Sequence, residues 1–255
     1  MCILAIQYQA TRDAPILIAQ NRDERYDRPS QQPRIQSGRP RVVCGIDRKA
    51  GGTWLGVNQH SLFVSAINAP KRNAPYDARS RGLLCRELLG CVTAEESIEK
   101  AYQELSTGHY AGVHYVIADS KNAAVVYGGD EVEIDPIRPG LHIITENRMD
   151  DPYDDRQAFV RRLLTLQTID SSVAFLAVAS QTFSRRPDPT GKRGVVICGK
   201  ERGTVSSTLL SLSERNQNAI YQYAPGPPSE KPYDDVSALL RQVLSTDRHT
   251  QKKKS

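Results

Sequence analysis

The strongest constraint on this chain is how its apolar residues are parcelled. They fall in short runs separated by tight polar turns. Residues 2–9 (CILAIQYQ) and 15–20 (PILIAQ) are β-rich and flank Thr11-Arg12-Asp13-Ala14, a pattern that predicts a hairpin. Residues 51–58 and 61–68 predict a second hairpin turned at Asn58-Gln59-His60. Residues 113–144 predict four strands, VHYVIAD, AAVVYG, EVEID and GLHIIT, each ended by a turn-forming cluster. Further strands are expected at 193–199, 203–212 and 218–223. Between them, apolar spacing near 3.6 predicts helices over 79–89, 94–105, 153–167, 171–180 and 233–245. Thr93 followed by Glu95 and Glu96 marks the start of the second helix. The segment from Asn21 to Arg41 is polar, rich in arginine and interrupted by Pro29, Pro33 and Pro40, so it reads as an extended surface loop.

Short connections make the strands mainly antiparallel. They are too numerous for one open sheet, and two separate helical pairs must cover apolar faces. These conditions point to an α+β fold, a four-layer αββα sandwich. No repeat or long linker divides the chain. One domain is therefore expected over 1–246, followed by a basic disordered tail over 247–255.

Charge narrows the partners. The formal charge is +5, from 34 Lys+Arg against 29 Asp+Glu. Arg248, Lys252, Lys253 and Lys254 lie in the last eight residues, leaving 30 basic against 29 acidic in the body. With no basic stripe interleaved with aromatics, nucleic acid is not expected as a partner. No apolar run approaches the roughly 20 residues of a membrane span. The start lacks a basic segment and a small-residue processing site, so a secretory signal is not expected. Five scattered cysteines without a CxxC fit free thiols in a reducing, cytoplasmic setting. The five histidines show neither HExxH nor HxxxH spacing, and GxGxxG, P-loop and GxSxG patterns are absent, so no metal or other cofactor is expected. Oligomeric state is not legible. Residues 21–50 hold eight basic residues against four acids, a local excess suited to an anionic small molecule.

Four features could carry chemistry. Cys2 follows the initiator methionine, and removal of Met1 would give one residue a thiol and a free α-amine, a nucleophile and a base together. It could equally be a small apolar residue opening a buried strand. In Asn21-Arg22-Asp23-Glu24, Asp23 could orient that amine and Arg22 could bind a carboxylate or oxyanion; a solvated polar loop would read the same. In Gly51-Gly52-Thr53-Trp54, the glycines allow close backbone approach and Trp54 could wall an apolar pocket; a tight turn before a core tryptophan is the alternative. Asn68 and Asn147 each follow a strand and could donate to an oxyanion or close a turn.

Together these features resemble a family. Met-Cys at the start, AQNRDERYDRP (19–29), GIDRKAGGTWLGVN (45–58) and GTVSSTLL (203–210) are similar to the NRDE family, also called the transport-and-Golgi-organisation-2 family. The first three motifs keep the family's order and spacing over roughly the first 70 residues. The resemblance implies the fold of the N-terminal-nucleophile hydrolases, nearest to the choloylglycine and penicillin V acylases, which cleave non-peptide amides.

By that resemblance, Cys2 matches the nucleophile and Asp23, with Asn21 two before it, the strand-end aspartate. Asn68, in Ala66-Ile67-Asn68-Ala69-Pro70, and Asn147, after Thr145, match the two asparagines of the acylases. Asn21, Arg22, Arg28, Gly52, Thr53 and Trp54 are then the expected substrate contacts. Two departures stand out. The acylase arginine three residues before the aspartate is Gln20 here, leaving Arg22 to take over its role. The family's Gly-Thr-Arg is Gly203-Thr204-Val205. The implied activity is hydrolysis of an amide or thioester of an amphipathic anion. The alternative is a carrier of haem or acyl-CoA, with Arg22, Arg25, Arg28, Arg39 and Arg41 facing its acidic groups and Trp54 its apolar part.

Overall fold

A computed structural model describes residues 2–191 and 193–245. The expected basic tail lies outside the described residues. In chain order the strands of the first half are β1 (Ile3–Tyr8), β2 (Ile16–Arg25), β3 (Ser30–Gln36), β4 (Val42–Asp47), β5 (Leu55–Asn58) and β6 (Phe63–Asn68). Two helices follow, α1 (Arg81–Leu88) and α2 (Ala94–Ser106), then β7 (Val113–Ala118), β8 (Ala123–Gly128), β9 (Val132–Pro136) and β10 (Gly140–Ile144). The chain continues through α3 (Asp155–Leu164), α4 (Ser172–Phe183), β11 (Arg202–Leu212), β12 (Ile220–Ala224), β13 (Asp234–Asp235) and α5 (Ser237–Leu244).

The described residues divide into two compact units, the strands and helices up to residue 28 together with those over 138–237, and those over 29–137 together with the residues that follow 237. The first unit is a six-stranded antiparallel sheet in the order β10-β1-β2-β11-β12-β13. Side chains alternate across a strand, so Ile3 and Ala5 of β1, Leu17 and Ala19 of β2, and Leu209 of β11 share one face. That face packs against Val160 and Leu164 of α3 and Phe175, Ala179 and Phe183 of α4. Each such side chain removed from water contributes about 1.5–3 kcal/mol. Asp154 and Ser171 cap the two helices through their side-chain oxygens.

The second unit is a seven-stranded antiparallel sheet, β3 through β9 in sequence order. Val42, Val64, Val113, Tyr115 and Ile117 present one face to Leu84, Cys85 and Leu88 of α1 and to Ala101 and Leu105 of α2. Thr93 caps α2, as its sequence predicts.

Two expectations need correction. The segment 21–41 is not one surface loop: β2 runs on to Arg25, and Ser30–Gln36 is a strand. Asn21, Arg22 and Asp23 are buried despite their polarity. The strand expected over 193–199 is absent. The chain there turns, with a single isolated bridge, Cys198 to Gly203. Both sides of β11 are already taken by β2 and β12, so the apolar Val195 and Val196 bury themselves without a ladder.

Candidate active site

β1 is an inner strand, and Cys2 stands immediately before it. Continuing the register of Ile3 with Asn21 sets Cys2 opposite Arg22. The Cys2 Sγ lies 3.9 Å from the main-chain oxygen of Asp23 and donates to it. Cys2 is buried, and burial, with the negative charge of Asp23, pushes its thiol up; the nearby Arg22 charge opposes this. The thiol is therefore protonated at neutrality and needs a base to become the attacking thiolate.

Asp23 is held by two side chains, one on each carboxylate oxygen. Its Oδ1 accepts from Thr204 Oγ1 at 2.6 Å, and its Oδ2 accepts from Arg156 Nη2 at 3.0 Å. Arg156 also donates to the carbonyl of Val195 at 2.7 Å. The Asp23 side chain is 1% exposed, and burial pushes its carboxyl up, against the opposing pull of Arg156 and Thr204. Asn21, two residues earlier on the same face, donates through Nδ2 to the carbonyls of Phe183 and Val195. It thus ties the end of α4 and the following loop to β2.

A bulge explains how Thr204 reaches Asp23. Asp23 pairs with Thr204, but Arg22 pairs with Ser206, so Val205 is an extra residue in β11. In an unbroken strand Thr204 would share a face with Ser206. One inserted residue reverses that parity and brings Thr204 to the helix-covered face with Asp23, while Ser206 stays with Arg22. Position 205, where the family often has arginine, is this extra residue.

On the other face, Gln20 and Arg22 project together, because positions two apart share a side of a strand. Arg22 therefore occupies the same face that an arginine at position 20 would have used. Its guanidinium lies 3.9 Å from Glu24, which is also 3.8 Å from Arg28. Arg25 pairs bidentately with Asp27 at 3.0 Å. Much of the positive charge counted over residues 21–28 is therefore answered locally.

Asn147 donates through Nδ2 to Asp154 Oδ2 at 3.0 Å. Asp154 is the cap of α3, the helix that carries Arg156, so Asn147 belongs to the network fixing that helix. The structure brings Cys2, Asn21, Arg22 and Asp23 together in the first unit, with Arg28 attached through Glu24.

Asn68, Gly52, Thr53 and Trp54 belong to the second unit. Asn68 ends β6 and is half-buried. Gly51 takes a φ of 73°, and a Cβ on Gly52 would lie 2.1 Å from the Gly82 carbonyl carbon. Thr53 N–H donates to the Gly82 carbonyl at 2.9 Å, and the Trp54 ring lies over Gly45, leaving no space for a Cβ there. These residues join β5 to the start of α1.

Sequence reasoning missed Arg156 and assigned no role to Thr204. A signal existed for the first. Arg156, Val160 and Leu164 stand four apart along α3, and the latter two are core residues. An arginine on the apolar stripe of a helix demands a buried acceptor. Among the described residues no cluster of three or more His, Cys, Asp or Glu could hold a metal ion, and no helix is long and apolar enough to cross a membrane.

Residues 1–185 match the family model described as Transport and Golgi organisation 2. A human Transport and Golgi organization protein 2 homolog is 27% identical over 209 residues, covering 74% of this chain and 75% of that protein. A mouse homolog is 28% identical over the same span. Among solved structures, the N-acylethanolamine-hydrolyzing acid amidase ortholog of Caenorhabditis elegans superposes with a TM-score of 0.54 at 14% identity, over 82% of this chain and 92% of that one. The conjugated bile acid hydrolase of Clostridium perfringens gives 0.53 at 13% identity, covering 93% of each chain. At these identities the likeness establishes the fold, that of the N-terminal-nucleophile hydrolases.

Proposed function

The chain belongs to the Transport and Golgi organisation 2 family, and from that premise and the geometry around Cys2 we propose that it is a cysteine hydrolase of the N-terminal-nucleophile type. Its substrate is a non-peptide amide or thioester of an amphipathic anionic small molecule. The observation that carries the reading is the seat of Cys2: a buried thiol against Asp23, whose carboxylate is fixed by Arg156 and Thr204. A cysteine that only filled the core would not require a buried aspartate held by a remote arginine.

In this mechanism removal of Met1 frees the Cys2 amine. The amine takes the thiol proton, and the thiolate attacks the acyl carbon. Arg22 faces the oxyanion of the tetrahedral intermediate. Collapse breaks the C–N or C–S bond, and the Cys2 ammonium returns its proton to the leaving amine or thiolate. Water, deprotonated by the same amine, attacks the acyl-enzyme thioester; the carboxylic acid departs and the thiol is restored. Asp23 stabilises the ammonium, and Asn147 acts through Asp154 by fixing α3. All five cysteines are free, which suits a reducing compartment, and we place the protein in the cytoplasm.

The test has two stages. Intact mass of protein purified from cells must show loss of Met1; a chain retaining it defeats the mechanism. The mature protein is then incubated with a panel of N-acyl amides and acyl thioesters. The expected result is an acyl adduct on Cys2 that Cys2→Ser abolishes.

A further inference from the structure

A hollow of about 580 Å³ opens on the first unit between α3 and the loop that follows α4. Its apolar wall includes Phe159, Pro187 and Ile197, and Arg156, Arg162 and Arg193 also line it. One carboxylate, Asp155, joins them. The volume falls within the range of about 300–1,000 Å³ typical of small-molecule sites. Among the described residues, neither Arg162 nor Arg193 forms an ion pair. Two guanidiniums thus flank an apolar wall with a single acid nearby.

Residues 194–196 of the outer wall are anchored by their main chain. Val195 and Val196 both donate N–H to the Arg185 carbonyl at 2.9 Å, closing its base. The Val195 carbonyl is gripped by Arg156 and Asn21. At Gly194 the chain passes so near Pro187 that a Cβ would lie 2.6 Å away. Beside it, Arg193 adopts a φ of 56°, in the left-handed region that L residues rarely enter.

We propose that this hollow is a binding site for an amphipathic organic anion: a compact alkyl or aryl body against Phe159, Pro187 and Ile197, and a carboxylate or phosphate head between Arg162 and Arg193. The apolar wall selects the body, and the paired guanidinium forks select the head. The site differs from the nucleophile's. It lies on the helix-covered side of the sheet, with Asn21 and Asp23, whereas strand alternation turns the Cys2 thiol to the other side with Arg22. Arg156 belongs to both settings.

The experiment is calorimetric titration of the full chain with laurate and with dodecyl phosphate, below their aggregation thresholds. Dodecanol serves as the neutral control and acetate as the head group alone. We expect one laurate and one dodecyl phosphate per chain, in mutual competition. Dodecanol should bind at least ten-fold more weakly and acetate not measurably. Arg162→Glu with Arg193→Glu should weaken both anions at least ten-fold at unchanged Tm, and the milder Arg162→Gln with Arg193→Gln several-fold. Cys2→Ser should leave the affinity unaltered. Dodecanol binding as tightly as laurate, charge-reversed protein binding as tightly as the parent, or loss of binding in Cys2→Ser would each overturn the proposal.

Discussion

Arg156 and Asp23 are 133 residues apart in sequence and 3.0 Å apart in space, one on α3 and the other on β2. The arginine side chain is 15% exposed and the aspartate 1%, so the pair sits largely out of water. A pair of this kind need not add net stability, but halving it leaves a buried charge unanswered. Arg156→Ala should therefore destabilise the protein by about 3 kcal/mol, read from the urea midpoint. Adding Asp23→Asn should recover at least half of that loss. If the double variant is less stable than Arg156→Ala alone, the pair is not the cause.

The same pair makes a pH prediction. Burial already pushes the Asp23 carboxyl up, and Arg156 opposes that shift. A carboxyl whose folded-state value lies above its unfolded value holds its proton more readily when folded. Its contribution to stability is thus complete below the unfolded value and falls as pH rises through the folded one. Removing Arg156 raises the folded value further. The stability gap between Arg156→Ala and the parent should narrow as pH falls from 7 toward 5, measured by urea unfolding at each pH.

His142 and Asp150 supply a second titration, with opposite signs for the two partners. The ring Nδ1 lies 2.7 Å from Asp150 Oδ2, and this bond, against the opposing effect of burial, raises the imidazole. For Asp150, burial is outweighed by its bonds to His142 and the Ile143 N–H and by the Arg161 charge, and its carboxyl is lowered. The histidine contribution is complete below its unfolded value, near 6.5, and is lost as pH rises through the folded one. The aspartate contribution holds above about 3.9 and is lost as pH falls. Stability should decline by less than about 1 kcal/mol from pH 6 to pH 8. His142→Gln should flatten that slope.

Gly45 gives a prediction with an optical readout. A Cβ there would lie 2.4 Å from the Trp54 ring. Gly45→Ala must displace the ring, at about 1–3 kcal/mol. Trp54 is the single tryptophan and is buried, so its emission should shift to the red as the midpoint falls.

Thiol reactivity separates the cysteines. Cys198 is exposed, whereas Cys2, Cys44, Cys85 and Cys91 are buried. Burial raises the thiols of all four, which slows their attack on disulfide reagents. Native protein that retains Met1 should react rapidly at one thiol, lost in Cys198→Ser, and at all five after unfolding. A second fast thiol should appear once Met1 is removed, and it should be Cys2.

Among the described residues, most strands with their antiparallel pairing, and the five α-helices, were legible because periodicity is a local record of which face meets the core. The hairpin of β1 and β2, and Thr93 as a cap, are examples. What was not legible has one cause. Asn21 and Asp23 look solvated by composition, yet they are buried because their partners lie far away in sequence: Phe183 and Val195 for the first, Arg156 and Thr204 for the second. Polar burial is a tertiary property and leaves no local period. Gly52 could be reached as a position of close approach but not as the seam with Gly82. The run at 193–199 misled for the opposite reason, since apolar letters record burial without specifying a ladder.

The extra residue at Val205 has a consequence for how β11 is compared and engineered. The strand carries two phases. Residues 202–204 and 206–212 assign odd and even positions to opposite sides, and Val205 is the joint between them. A gapless alignment to a relative without the bulge would equate inward with outward positions on one side of that joint. Deleting Val205 would merge the two phases into one: Thr204, then next to Ser206, would still stand opposite Asp23 and keep its hydroxyl on the carboxylate.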